Sequence, residues 1–242
     1  MIACDVPAAR KVCGFTSHTS TNACHKCKYQ FLRLARTSSV DYSGIDFSKW
    51  LLRTNNDNCK DAEVWRNATT HAERYCLKVA NSVCWSKLHH LQYFDVVCCT
   101  IVDAMHNLFL GTAKRMMERW VADGIIDNKK LVAMQKTVGK IVLLPDYTSL
   151  GTKIAKGFPY IKADEWKSWC LVYSPVVLKD VLPLNKFRNW MLFIKACRIL
   201  VMSNICESDI AIAHKYLEDY CKMCETLYSL NLLSPNMHLH LH

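Results

Sequence analysis

Two groups of residues, at opposite ends of this sequence, could hold one metal ion between them. Cys24 and Cys27 form a Cys-x-x-Cys pair in the polar loop "TSHTSTNACHKC". Two thiolates at this spacing can bind a tetrahedral Zn²⁺ from a single turn, which supplies half a site. The other half is offered by Met237-His238-Leu239-His240-Leu241-His242, where His and Leu alternate. If that segment is extended, all three imidazoles share one face. If it is helical, His238 and His242 share a face at i and i+4, and His240 lies elsewhere. A second pair, Cys221-x-x-Cys224, is the rival partner for a four-cysteine site, but it falls at helical spacing with Leu217, Leu227 and Tyr228 and reads as part of a core stripe. His18 and His25 are nearby alternatives as ligands. The preferred expectation is a Cys₂His₂ site from Cys24, Cys27, His238 and His242, with His240 as a substitute.

Carboxylates are the other candidates. Asp5 ends the short apolar run "MIACDV", the position of a metal-binding acid at the end of a buried strand; capping the helix that begins "PAARK" is the alternative role. Asp103, in "IVDAMHNLFLG", is a weaker candidate of the same kind. Lys11, Lys26, Lys28, Arg33 and Arg36 surround the cysteine loop and could contact phosphates, giving salt-sensitive, sequence-tolerant binding. No His-Glu-x-x-His occurs, which argues against a zinc hydrolase.

The elements that must position these residues are mostly helical. Hydrophobic residues make up 51% and charged residues 21%, enough for a sizeable core, while 7 Gly and 6 Pro argue against a turn-rich β-sandwich. "MIACDV" suits a brief strand, and "SSVDYSGIDFSKWLLRTNNDN" a loop with a short helix. "DAEVWRNATTHAERYCLKVANSV" has helical spacing at Val64, Ala68, His71 and Tyr75. "IVDAMHNLFLGTAKRMMERWVADG" repeats apolar residues at Leu108, Met116, Trp120 and Val121 and stops at Gly124. "DNKKLVAMQKTVGKIVLL" opens on an Asp cap and stops before Pro145, and "KADEWKSWCLVYSPVVLKDVL" is helical with a break at Pro175. "FRNWMLFIKACRILVM" and "SDIAIAHKYLEDYCKMCETLYSL" are amphipathic helices.

The formal charge is +10, from 31 Lys+Arg against 21 Asp+Glu, which favours a polyanionic partner. Fourteen cysteines lack the spacing of a disulfide scaffold; Cys76, Cys84, Cys98, Cys99, Cys170, Cys197 and Cys206 lie among apolar residues and read as buried reduced thiols in an intracellular compartment. No run suits a membrane span or a signal peptide.

Five strings, "CDVPAARKVCGFTSHTSTNACHKC", "CWSKLHHLQYFD", "IVDAMHNLFLGTAKRMMERW", "KIAKGFPYIKADEWKSWCLVYSPVVL" and "SPNMHLHLH", resemble the transposases of the CACTA (En/Spm) group, in order over nearly the whole chain. The resemblance implies a DDE DNA transposase: an RNase H-like core, a carboxylate triad with catalytic Mg²⁺ or Mn²⁺, and a structural Zn²⁺ site made of a Cys-x-x-Cys and a His pair. The vertebrate immune recombinase looks like a distant relation with the same order of parts. On this mapping Asp5 matches the second carboxylate, Cys24 and Cys27 the thiolates, and His238 and His242 the imidazoles. The expected fold is therefore mainly α, a helical insertion domain with a partial RNase H-like α/β core. Residues 1–39 would be core strand and zinc loop, 40–230 the insertion, and 231–242 the return to the zinc site. The first carboxylate is expected upstream of Asp5 and the catalytic Glu beyond the histidines, so the sequence reads as an internal fragment, inactive alone. DNA at transposon ends, homo-oligomers on that DNA and a nuclear location are the implied partners and place. A non-catalytic, zinc-stabilised nucleic-acid-binding module is the alternative.

Overall fold

The computed structural model describes residues 1–242. The chain is mainly helical, with 53% of residues in helix and 5% in strand. It divides into two units. The first comprises Met1–Asp103 with Leu233–His240 and His242; the second comprises Ala104–Leu232 with Leu241. Residues 40–103, which the sequence reading counts in the insertion, fall in the same unit as the cysteine loop.

In the first unit, strand β1 (Ile2–Cys4) leads into helix α1 (Val6–Val12), and helices α2 (Asn55–Asn67) and α3 (His71–Asn81) precede strand β2 (Thr100–Val102). β1 and β2 pair in parallel, Ile2 opposite Thr100 and Cys4 opposite Val102. α1 starts where it does because Asp5 Oδ1 accepts a hydrogen bond from the Ala8 amide at 2.8 Å and Pro7 sits in the first turn, where a missing N–H costs nothing. The expected continuous helical face from Val64 to Tyr75 is absent. Thr70 caps a new helix by accepting from Glu73 N at 3.1 Å, so the chain breaks after Asn67, and Val64 and Tyr75 are exposed. A core of Cys13, Phe15, Ala62, Val83, Val96 and Val97, flanked by Ile2, Trp85, Leu88 and Phe94, joins these elements.

The second unit contains α4 (Lys114–Ala122), α5 (Asn128–Val138), α6 (Ala163–Ser168), α7 (Ser174–Val177), α8 (Leu184–Leu200) and α9 (Glu207–Leu227). A π-helical segment, Met105–Ala113, runs into α4, and another, Trp169–Tyr173, joins α6 to α7. The expected break at Pro175 is thus absorbed: Pro175 lies in the first turn of α7, where no N–H is needed. Gly124 at φ +69° ends α4 as its position predicts, and Asp127 caps α5 by accepting from Lys130 N at 2.8 Å. The core is aromatic. Trp120 meets Trp190 edge to face at 5.3 Å, Trp190 stacks on Phe193, and the indole N–H groups donate to Tyr228 and Ser174. These bonds let two buried indoles keep their polar atoms satisfied.

Of the seven cysteines expected to be buried, only Cys170 and Cys197 are. Cys76, Cys98 and Cys206 are exposed, and Cys84 and Cys99 are half-buried. Cys76 sits on α3, which buries none of its side chains, and Cys206 is the N-cap of α9. No helix is long and apolar enough to cross a membrane.

The chain returns to the first unit through α10 (Pro235–Leu239). Ser234 caps it, accepting from Met237 N, and Pro235 occupies the first turn. This cap selects the helical option for the closing histidines over the extended one.

Candidate metal centre

Cys24, Cys27, His238 and His242 come together, one ligand atom from each lying within 4.8 Å of all the others. Cys27 Sγ is 3.4 Å from His238 Nε2, and His238 Nε2 is 3.2 Å from His242 Nε2. Four donors on a tetrahedron with Zn–S of about 2.3 Å and Zn–N of about 2.0–2.1 Å stand about 3.6 Å apart for S···N and about 3.3 Å for N···N. These two edges match those expected around a single zinc-sized ion. Cys24, Cys27 and His238 are buried and His242 is exposed.

Each half is built by local structure. The thiol pair sits on a tight turn in which Cys24 Sγ accepts from the amides of Lys26, at 3.2 Å, and Cys27, at 3.4 Å. Cys27 bridges to Leu52, and Arg53 N donates to Lys26 O at 2.8 Å. The Arg53 side chain, 8% exposed, donates from Nε to the Cys24 and Cys27 carbonyls and from Nη1 to Asn81 O. One buried guanidinium thus locks both ends of the turn to the end of α3. Replacing it by Met leaves three carbonyl acceptors without their charged donor; we expect about 2–3 kcal/mol lower stability in chemical denaturation, with the metal still bound at neutral pH.

The imidazoles are held by an aromatic enclosure. Trp50 lies 4.0 Å from the His238 ring and 5.3 Å from the His242 ring, Phe31 meets His238 edge-on at 4.9 Å, and Phe47 meets His242 at 5.5 Å. Around the buried His238 this excludes water, which strengthens ligand–ion attraction and limits ring rotation. His238 Nδ1 is buried without a hydrogen-bond partner.

The electrostatics favour one ionised thiol even without an ion. Burial pushes Cys24 up, but hydrogen bonds from Cys27, His238 and His242 outweigh it and hold the thiol well below its ordinary range. Cys27 is driven up, first by sharing its proton with Cys24 and then by burial. Burial lowers His238, leaving it a neutral nitrogen ligand. Metal binding would release the remaining thiol proton.

The rival candidates fall elsewhere. His25, between the two cysteines, is fully buried beside Phe15 with both ring nitrogens unpartnered, and burial drives it down to about 3, so it is neutral. His240 is half-buried at the end of α10, off the cluster. Cys221 and Cys224 are buried in α9; burial pushes both thiols up, Cys224 to about 12, and Cys224 Sγ accepts from Asn189 Nδ2. They are core thiols, as their helical spacing indicates.

The two acids stand at equivalent ends of paired strands. Asp5 follows Cys4 and Asp103 follows Val102, which pair across β1 and β2, and Asp103 N donates to Cys4 O at 3.0 Å. Asp5 also serves as the cap of α1, so both roles weighed for it coexist. This juxtaposition could not be read from sequence, because a three-residue strand carries no period.

Of the five basic residues, three make intramolecular contacts. Lys26 Nζ donates to Val97 O at 2.5 Å, Lys28 pairs with Asp57 at 2.7 Å, and Arg33 donates to the Ser38 and Thr19 carbonyls. Lys11 and Arg36 are exposed. Comparison with protein-family models, curated proteins and solved structures returns no match.

Proposed function

We propose that this chain is a zinc-clipped part of a DDE-type DNA transposase, in which one Zn²⁺ on Cys24, Cys27, His238 and His242 ties the closing helix to the opening loop. The observation that carries the reading is the convergence of the two cysteines and the two histidines across 211 residues of chain. Closing a loop of that length costs chain entropy, and a metal clip offsets it. The five family-like strings and the net charge of +10 add support.

In this reading the clip is structural, since its four protein ligands complete a tetrahedron and leave no open position for substrate. The catalytic part lies at the strand ends. Asp5 would hold a divalent ion there, with Asp103 the weaker candidate beside it; hard carboxylate oxygens suit Mg²⁺ or Mn²⁺. When bound, such ions supply charge stabilisation for an in-line displacement at phosphorus. β1, β2 and α1 are the α/β elements we assign to an RNase H-like core. Their parallel pairing keeps the two acids in register, and the Asp5 bond to Ala8 N fixes one of them.

Lys11 and Arg36 are the residues we assign to DNA backbone contact, in a nuclear, DNA-bound and self-associating protein. The test is the salt dependence of binding to duplex DNA. We expect log K to fall with log salt at a slope of at least about −2, two exposed cations each releasing about one counterion, and Arg36→Gln to reduce it by about 1. A flat titration would point to a protein that does not bind nucleic acid. Saturable binding without strand cleavage in Mg²⁺ or Mn²⁺ would favour the non-catalytic binding module.

A further inference from the structure

A cavity of about 390 Å³ opens in the first unit beside α1 and is lined by Arg10, Lys11, Gly14, Ser17, His18 and Lys78, among others. None of its lining residues is acidic. Arg10 is the unusual member. It is 2% exposed, donates from Nε to Thr16 O, and has a buried Nη2 with no partner. A buried guanidinium normally faces a carboxylate, because an unpaired charge removed from water is costly. Burial dominates here and pushes Arg10 down to about 10. The compensating groups near it are the Cys24 thiol, whose hydrogen bonds go to Cys27, His238 and His242, and the Tyr42 phenol, which burial keeps neutral. Both attract the guanidinium electrostatically, and neither accepts a hydrogen bond from Nη2, which stays without a partner.

We propose that this cavity is a phosphate-binding pocket, in which Arg10, Lys11, Lys78 and His18 surround a phosphate or phosphate monoester. Lys11 and Lys78 are exposed and supply charge at the mouth, while the Arg10 guanidinium offers directed donors within. Thr16 and Ser17 also line the wall, with their hydroxyls bonded to Ser20 and Thr19. The volume lies in the range of about 300–1,000 Å³ usual for small-ligand sites, so a sugar can enter with its phosphate. Recognition stops at the phosphate. The ring of Trp85, which walls the cavity, is already engaged by Arg66 at 4.3 Å and by stacked His89 at 5.1 Å, so it offers no free platform for a base. The pocket does not depend on the identity of the metal; it shares Lys11 with the DNA contact proposed above, and inorganic phosphate and the nucleoside monophosphate read the pocket apart from that contact.

The test uses the full zinc-loaded chain in calorimetric titrations. The probes are inorganic phosphate, a nucleoside 5′-monophosphate, and one oligonucleotide with and without a 5′-phosphate. We expect saturable binding of at least one phosphate-bearing probe and a loss of at least about tenfold in its affinity in Lys11→Gln/Lys78→Gln, with Lys136→Gln, an exposed charge in the second unit, unchanged. These rim substitutions spare the buried Arg10, whose own replacement risks the fold. Oligonucleotide binding that requires the 5′-phosphate assigns the pocket to a strand end, and equal binding of both oligonucleotides with saturation by the small probes assigns it to a free phosphate compound. Absence of saturable binding by every probe, or unaltered affinity in the double variant, overturns the proposal. Metal content, measured on the same samples, reports on the zinc reading separately.

Discussion

Cys24→Ser is expected to abolish stoichiometric zinc and, with it, the cooperative melting of the first unit. Purified wild-type chain should carry one zinc per molecule by elemental analysis, and the variant close to none, as should His238→Ala. The size of the effect follows from linkage. A ligand present at a thousand times its dissociation constant stabilises the folded form by about 4 kcal/mol, and structural zinc in small domains binds with about 10–16 kcal/mol of apparent free energy. The side chains around His238 and His242 are aromatic rings packed on the ligands themselves, so their burial is tied to the assembled cluster. Chelation of the wild type should reproduce the variant's behaviour. The sign with pH is also set: each ligand must be deprotonated to bind, so acidification releases the ion and stability falls with it. Full zinc retention by both Cys24→Ser and His238→Ala would refute the assigned ligands.

Gly14→Ala is the second large effect. Gly14 has φ +78°, a conformation that costs a residue with a Cβ about 1–2 kcal/mol. The added Cβ would also stand 2.3 Å from the Cys84 carbonyl oxygen, a backbone atom that cannot swing aside. Cys84 N donates to Gly14 O at 2.7 Å, and Phe15 bridges to Val83, so the clash falls where two strands of backbone are locked together. We expect a loss of more than about 3 kcal/mol in urea denaturation, with reduced recovery of folded protein. A change below about 1 kcal/mol would mean that the two segments separate freely.

The candidate metal ligands were legible because their chemistry is written in short spacings. Cys-x-x-Cys is a turn motif, and His at i and i+4 needs only one helical turn to converge. Which histidines would serve was open until the Ser234 cap and Pro235 made that turn helical. The long helices α8 and α9 were equally plain, since their period runs over many residues. The helix break at Thr70 was harder: the apolar period crosses it, and the capping hydroxyl outcompetes the pattern. The parallel pairing of β1 and β2 was hidden because each strand is three residues long. The occupation of Lys26 and Arg33 by backbone carbonyls was also hidden, as a carbonyl acceptor leaves no trace in residue type. The cationic cavity had no motif at all; it gathers residues from α1, the following loop and α3, and only packing shows that Arg10 lacks an acid.

The separation of the two ligand pairs along the chain has a consequence for biogenesis. Translation at about 5–20 residues per second places about 10–40 s between the emergence of Cys27 and that of His238, which lie 211 residues apart. Through that interval the nascent protein displays a bare dithiol able to oxidise or to capture a softer ion. The tetrahedron can thus close only after His242 has emerged, and the yield of native molecules should depend on the redox state and metal supply met by the growing polypeptide.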